Sequence, residues 1–244
     1  MSQPPAASQP PPASLTPGDI NYRVVNLYRA DSGEPAPVDV YVRTQGLVEA
    51  APVEMGLAYG STTDSFAPPD PGTVVVTTAG AGDPDCVATC PHIIASSDTG
   101  FGEGDERTII VSAGGTTEFW HDPKPASVGT TANALAPADP STAVVHVAAV
   151  DLQNADFGLR LGYQGVAGCQ VNRTSQSILV GGNQVAVFGF GGGSANVMLY
   201  DNRDTDCTGA PVGGPFAISG AAGSRTLLIL HGEPGTMEAV TLAI

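Results

Sequence analysis

Basic residues are scarce in this sequence, and lysine is almost absent. The 244 residues include 9 Lys and Arg against 24 Asp and Glu, Lys124 is the sole lysine, and the formal net charge is −15. Nucleic-acid binding depends on clustered Lys and Arg that contact phosphates, and anionic membrane surfaces attract polybasic segments for the same reason. The charge therefore argues against both partners. It is compatible with solubility outside the cell, with basic proteins and with divalent cations.

A long apolar run is also missing. No segment approaches the roughly 20 apolar residues that span a bilayer, and residues 1–19 do not show the charged and apolar pattern of a signal peptide. Residues 1–19 are instead rich in Pro, Ala, Ser and Gln, a composition that forms an extended spacer. Such spacers commonly follow the lipidated cysteine of bacterial lipoproteins. We therefore expect an extracytoplasmic protein, envelope-anchored, periplasmic or secreted, that reaches a membrane only through a lipid anchor absent from this chain.

Only four cysteines occur, which limits their chemistry. Cys86 and Cys90 flank a three-residue loop, while Cys169 and Cys207 lie in the second half of the chain. This even division predicts two disulfides, Cys86–Cys90 and Cys169–Cys207. The pattern disfavours zinc, which needs four convergent ligands, and a thioredoxin-type centre, which needs two residues between the cysteines.

Glycine and proline are abundant, at 31 and 21 residues, and they separate short segments rich in Val, Ile, Leu and Thr. This composition predicts an all-β fold. Alternation places Val38, Val40 and Val42 inward, with Asp39 and Tyr41 outward. The predicted strands of the first half are 20–28, 36–43, 61–66, 72–78, 92–97, 106–112 and 116–121.

The sequence repeats itself at an interval of about 120 residues. Three segments recur in the same order at offsets of 118, 120 and 119 residues: Arg107–Val111 as Arg225–Ile229, Val24–Asn26 as Val144–His146, and Val38–Val42 as Phe157–Leu161. Segments repeated in order at nearly constant spacing indicate a duplicated unit. We therefore predict two tandem antiparallel β-sandwich domains, immunoglobulin-like or transthyretin-like. The predicted divisions are a tether (1–19), domain 1 (20–122), a linker (123–140) and a divergent domain 2 (141–244).

Four segments of the first half form a pattern: Arg23-Val24-Val25-Asn26-Leu27, Ala36-Pro37-Val38-Asp39-Val40-Tyr41-Val42, Gly56-Leu57-Ala58-Tyr59-Gly60-Ser61 and Pro71-Gly72-Thr73-Val74-Val75-Val76. Together they resemble a bacterial family catalogued as domain of unknown function 4397. The resemblance covers most of residues 20–122. In the second half Phe157-Gly158-Leu159 departs from the Val-Asp-Val pattern. The resemblance implies exported, often lipid-anchored tandem β-sandwiches, and it implies no catalytic residues.

Two acidic, cysteine-bearing loops are the candidate binding sites. Asp83 and Asp85 precede Cys86, and Asn202, Asp204 and Asp206 precede Cys207, which lies 121 residues after Cys86. Alternating oxygen ligands are typical of calcium loops, but the glycine and bidentate glutamate of an EF-hand are absent. A solvated acidic turn beside a disulfide is the other interpretation, and we expect no bound metal or cofactor.

Enzymatic motifs are weak. Asp31-Ser32-Gly33 and Asp98-Thr99-Gly100 resemble the paired loops of aspartic proteases, but both fall in the first half and are ordinary turn sequences. His146 aligns with Asn26, which predicts a side-chain hydrogen bond to the backbone. Asp39 faces Gly158 in the repeat, so we expect it to tie down a neighbouring loop.

These observations predict a non-enzymatic module of the cell envelope. It would act as a surface or periplasmic binding or structural module, using loops on a rigid scaffold to recognise an unknown protein or glycan at the cell surface. One alternative is an adhesin-like module that binds a glycan or a protein with the help of calcium. The other alternative is a hydrolase.

Overall fold

The fold is all-β in the part of the chain that the structure describes. This computed structural model describes residues 21–44, 50–68, 72–80, 93–98, 106–112, 115–121, 134–135, 141, 143–149, 158–163, 178–179, 185–190, 193–201, 203–204, 206–232 and 235–244. Every regular element in these ranges is a strand, so the all-β part of the predicted fold class is confirmed. Within them, no helix has the length and apolar character needed to cross a membrane.

The first half contributes seven strands, and the predicted linker contributes an eighth. They are β1 (Asn21–Leu27), β2 (Val38–Thr44), β3 (Ala50–Leu57), β4 (Gly72–Thr78), β5 (Ile93–Asp98), β6 (Glu106–Ser112), β7 (Gly115–His121) and β8 (Ala134–Leu135). The predictions for β4 and β6 are correct residue for residue. Strand β3 was not predicted, because its mostly exposed side chains show no alternation.

The second half contributes the other eight strands described. They are β9 (Ala143–Ala149), β10 (Gly158–Tyr163), β11 (Ile178–Leu179), β12 (Val185–Phe190), β13 (Gly193–Asp201), β14 (Gly213–Gly220), β15 (Arg225–His231) and β16 (Glu238–Ala243).

These strands form four sheets whose orders match between the halves. Sheet I is β3-β2-β4-β5 and sheet II is β1-β6-β7-β8, while sheet III is β12-β9-β15-β16 and sheet IV is β11-β10-β13-β14. The central pairs correspond, because β1 and β6 of sheet II match β9 and β15 of sheet III. On the free side of β1, residues 60–66 take the place of β12, with backbone bridges at Tyr22–Phe66 and Val25–Thr62.

The expectation of wholly antiparallel sheets is wrong at the centre of sheets II and III. Strand β1 runs parallel to β6, and β9 runs parallel to β15. Parallel strands are usually buried on both faces and carry continuous apolar runs instead of an alternating pattern. Six of the seven residues of β15 are buried, which fits that rule.

The two parallel pairs differ in register by two residues. Arg107 lies opposite Tyr22, whereas its counterpart Arg225 lies opposite Val144, the counterpart of Val24. An even shift keeps every side chain on its original face, because side chains alternate with a period of two. The unequal sequence offsets, 118 and 120, are thus the trace of this shift.

Apolar side chains fill three separate layers between the sheets. The first core, between sheets I and II, includes Tyr22, Val24, Val38, Val40, Val74, Val76, Ile109 and Val111. The second core, between sheets III and IV, consists of Val145, Val147, Val197, Leu199, Phe216, Ile218, Leu228 and Leu230. The third layer, here called the seam, joins sheets II and III through Val25, Leu27, Ile110, Ala148, Leu227, Ile229 and Leu242.

The predicted facing of β2 is correct on one side and incomplete on the other. Val38 and Val40 lie in the first core, with Val42 packed against it. Asp39 and Tyr41 lie on the opposite face, but they are 2% and 8% exposed and therefore buried. Within the predicted linker, β8 pairs with Trp120 and His121 at the end of β7.

Candidate functional site

The acidic loop after β13 is held together by its own hydrogen bonds. Asp201 forms a bidentate ion pair with Arg203, at 2.8 Å from Oδ1 to Nε and 2.6 Å from Oδ2 to Nη2. The backbone N–H of Arg203 also donates to Asp201 Oδ1 at 2.8 Å. This carboxylate is therefore engaged within the loop.

Asp204 closes the same loop from the other side. Its Oδ1 accepts from the Thr208 N–H at 3.2 Å, and its Oδ2 accepts from the Gly209 N–H at 2.8 Å. A Cβ at Gly209 would lie 2.9 Å from Asp204 Oδ2, so a side chain there would displace the Asp204 carboxylate. Asp206 Oδ1 accepts from the Thr208 hydroxyl at 3.1 Å. The three carboxylates thus serve as acceptors for their own loop.

These contacts lower the pKa values of two carboxyl groups. The Arg203 guanidinium and backbone N–H hold the pKa of Asp201 well below its usual range. Hydrogen bonds from the Gly209 and Thr208 amides, and from Asp206, lower the pKa of Asp204. Both side chains are partly exposed to solvent, so the ion pair and the hydrogen bonds are weakened by water and salt.

The remaining predicted loop residues lie outside the described residues. They are Asp83, Asp85, Cys86, Cys90, Cys169 and Asn202. Cys207 is described: it adopts a left-handed backbone conformation with φ of 52°, and it is not a free thiol. The Cys86–Cys90 and Cys169–Cys207 pairings stay predictions. In the ranges described, no group of three or more His, Cys, Asp or Glu could hold a metal ion.

Two buried polar residues anchor loops in the first half. Asp39 Oδ1 accepts from the Gly56 N–H and its Oδ2 from the Gly80 N–H, each at 2.7 Å. The predicted role for Asp39 is therefore confirmed. Asn26 donates to the carbonyls of Ala36 and Leu57 at 2.9 Å and accepts from the Tyr28 N–H at 2.8 Å.

The protease-like triplet at Asp31 is a tight turn. The Gly33 N–H donates to the Ala30 carbonyl at 2.7 Å, and Gly33 has a φ of 84°, which favours glycine. Asp98, the first residue of the second triplet, ends β5 and lies opposite Thr73 in the sheet register. His146 is fully buried, as is its counterpart Asn26.

A polar contact that the sequence did not predict joins the two halves beside the seam. Arg29 Nη2 donates to Tyr59 Oη at 3.0 Å, and Tyr59 Oη lies 2.9 Å from His231 Nδ1. The guanidinium also sits 4.9 Å from the centre of the Tyr59 ring, and the Tyr59 and His231 rings meet edge to face at 5.5 Å. We call Arg29, Tyr59 and His231 the clasp.

A groove opens next to the clasp. It has a volume of about 580 Å³, within the roughly 300–1,000 Å³ of typical ligand pockets. Two residues of the clasp, Tyr59 and His231, line it together with Gly60 and two edge strands, through Pro215–Ala217 of β14 and Met237–Thr241 around the start of β16. Glu238 is the one acidic residue in this lining.

The groove is the candidate site that sequence reasoning missed. Tyr59 and His231 are 172 residues apart, and no spacing rule connects them. One signal was available, since Tyr59 lies within Gly56–Ser61, a segment that carried the family resemblance. Its meaning depended on which segment of the second half lies opposite.

No protein-family model matches the chain, and no curated protein sequence matches it. Three solved structures show a remote likeness. The Bacillus anthracis TIE protein is 10% identical, with 89% of this chain and 34% of that chain covered and a TM-score of 0.24. This chain therefore spans about a third of that one.

The other two likenesses are equally remote. CBMbc, of family CBM26, from Eubacterium rectale Amy13K in complex with maltoheptaose is 12% identical. The match covers 92% of this chain and 98% of that chain, with a TM-score of 0.27. A streptococcal ancillary pilin is 15% identical. The match covers 88% of this chain and 62% of that chain, with a TM-score of 0.21. At such TM-scores we base no conclusion about function on any of the three.

Proposed function

We propose that this protein is a non-enzymatic, exported module of the bacterial cell envelope, with two tandem β-sandwich domains at residues 20–122 and 141–244. It would act as a binding or structural scaffold that presents loops and strand edges to a protein or glycan at the cell surface. The resemblance of residues 20–122 to the domain of unknown function 4397 family supports export. The acidic composition supports solubility outside the cell.

The observation that carries the scaffold part of this proposal is the seam. Domains joined in tandem are expected to move relative to one another unless their interface is large and apolar. Here Val25, Leu27 and Ile110 meet Leu227 and Ile229, and all five are no more than 1% exposed. Burial of such a side chain contributes roughly 1.5–3 kcal/mol. The clasp and the Arg23–Ala243 hydrogen bond (2.9 Å) add polar contacts between the halves.

Export is tested by locating the native protein. The gene would be expressed with its own upstream sequence in the organism that encodes it, and cells would be fractionated. We expect the protein in the envelope or the medium. Recovery in the cytoplasm would contradict the proposal.

Rigidity is tested by amide ¹⁵N relaxation of the purified chain. A scaffold with a fixed seam gives both halves one rotational correlation time, that of the whole molecule. Leu227→Asp should divide this into two shorter values, while the exposed control Ala222→Asp should not. Two separate values in the unmodified chain would refute a rigid scaffold.

The calcium-assisted alternative gains no support from the acidic loop. Asp201, Asp204 and Asp206 each accept hydrogen bonds from their own loop. We expect the melting temperature to be the same in calcium and in EDTA. A rise in calcium that Asp204→Asn abolishes would revive this alternative.

A further inference from the structure

We propose that the outer edge of β16 is a strand-addition site that receives an extended, uncharged segment of a partner polypeptide. The inference deepens the proposed binding role and rests on it, since it names the class of partner. It begins from sheet III, in which no described strand pairs with the outer edge of β16. Unpaired edges of this kind bind extended peptides through backbone hydrogen bonds.

The register shows which backbone groups face outward. The Ile244 N–H donates to the Arg225 carbonyl of β15 at 3.2 Å. Antiparallel pairs alternate between bonded and non-bonded positions, so Leu242, Val240 and Glu238 also bond inward. Ala239, Thr241 and Ala243 then direct their N–H and C=O groups to the open edge. The Ala243 carbonyl bears this out, because it accepts from Arg23 Nη1 of the first half.

The groove lies along the part of this edge that is still available. Ala239 and Thr241 both line it. The facing edge strand, β14, carries Pro215, which lacks an N–H and therefore discourages strand pairing. Strand β16 contains no proline. Of the two described strands that line the groove, β16 is therefore the one whose edge lacks this protection.

The first half indicates what kind of segment fits. There the equivalent strand, β7, has its outer edge covered by β8, which runs parallel to it as Ala134 opposite Trp120 and Leu135 opposite His121. Strand β8 covers the end of β7, whereas the groove follows the beginning of β16. The same edge of the repeated unit thus already accepts a short, uncharged strand. Glu238 and the net charge of −15 disfavour an acidic occupant.

The probe is a synthetic peptide with the sequence of residues 131–136, Thr-Ala-Asn-Ala-Leu-Ala, with both ends blocked. It would be titrated into ¹⁵N-labelled full chain and followed by amide shifts and hydrogen exchange. We expect the largest shifts at Ala239 and Thr241, with exchange slowed about tenfold or more by the new backbone hydrogen bonds. Absence of shifts at millimolar peptide, or shifts centred on β14 or on the acidic loop, would overturn the proposal.

The matched variants are Thr241→Pro and Thr241→Ala. Proline removes an outward N–H that makes no hydrogen bond to β15. Peptide binding should therefore be lost, while the amide chemical shifts of residues in the two cores stay unchanged. Alanine keeps the N–H and should bind like the unmodified chain. A peptide with proline at Ala134 provides the same test from the other partner, should Thr241→Pro not fold. Equal binding by both peptides would refute backbone pairing.

A second copy of this chain is the other occupant to test, and self-association would reveal it. Sedimentation of the chain without peptide should show no dimer that Thr241→Pro disrupts. Such a dimer would identify a second copy as the occupant and overturn the proposal. These measurements do not involve export, so a negative result here leaves the envelope assignment intact.

Discussion

The two halves share their apolar frame but not their buried polar anchors. In the first half, Asn26 and Asp39 hold five backbone groups between them. At the corresponding positions the second half has His146, which is also fully buried, and Gly158, which has no side chain. The order of the corresponding strands and the parallel central pair are nevertheless the same. The frame is therefore set by apolar layers, and the polar anchors fix individual loops.

The largest effect should come from breaking what the halves share. Leu227→Asp places a carboxylate in the seam, where Leu227 is fully buried, and should cost roughly 3 kcal/mol or more because an unpaired charge loses its hydration. Urea unfolding would measure this. Val25→Asp, on the facing sheet, should have a similar effect. A loss below about 1 kcal/mol would mean that the seam opens easily.

The exposed turn supplies the control for both variants. Ala222→Asp adds the same charge where it remains hydrated, and should change the free energy of unfolding by less than about 0.5 kcal/mol.

Removal of the Asn26 anchor should have the next largest effect. Asn26→Ala leaves the Ala36 and Leu57 carbonyls and the Tyr28 N–H without their side-chain partner. Each buried group left unsatisfied costs about 1–3 kcal/mol. For the three groups together we expect the free energy of unfolding to fall by roughly 3 kcal/mol, the lower end of the summed range. Asn21→Ala, on the same strand but only partly buried, is the matched control. Equal losses of unfolding free energy would contradict the anchoring role.

A smaller and more local effect is expected at Asp39. Asp39→Asn replaces one acceptor oxygen with an N–H₂ group that must face a backbone N–H, at a cost of about 1–3 kcal/mol. Hydrogen exchange at Gly56 and Gly80 should accelerate, while exchange in the second core should change only with global stability. Asp64→Asn, at an exposed position, should leave both amides unchanged. Unaltered exchange in Asp39→Asn would disprove the tie.

The smallest effect is the pH dependence of the acidic loop. Arg203 lowers the pKa of Asp201 in the folded protein. The Asp201–Arg203 pair therefore stabilises the folded state above the unfolded pKa of about 3.9, and this stabilisation is lost as the pH falls through the folded pKa. The melting temperatures of Asp201→Asn and the unmodified chain should therefore differ slightly near neutral pH and converge in acid. Added salt should reduce the difference. A difference that grows as pH falls would contradict the sign.

The sequence by itself determined several of the local elements and showed a repeat at an interval of about 120 residues. Period-two alternation identified the inward valines of β2, and turn residues bounded β4 and β6, because both signals arise from neighbouring residues. Comparison with Gly158 also identified Asp39 as a loop anchor. The continuous apolar runs Ile109–Val111 and Leu227–Leu230 are typical of strands buried on both faces.

Only the tertiary structure decided what covers the second face of those strands. The seam, the clasp and the groove bring together residues from opposite halves, and β3 and β8 become strands only against their neighbours. Such contacts depend on long-range packing, in which one sheet provides the apolar surface that another needs. The composition of a single segment does not specify that partner, so the place of β16 at the edge of the described sheet III could be located only from the assembled sheets.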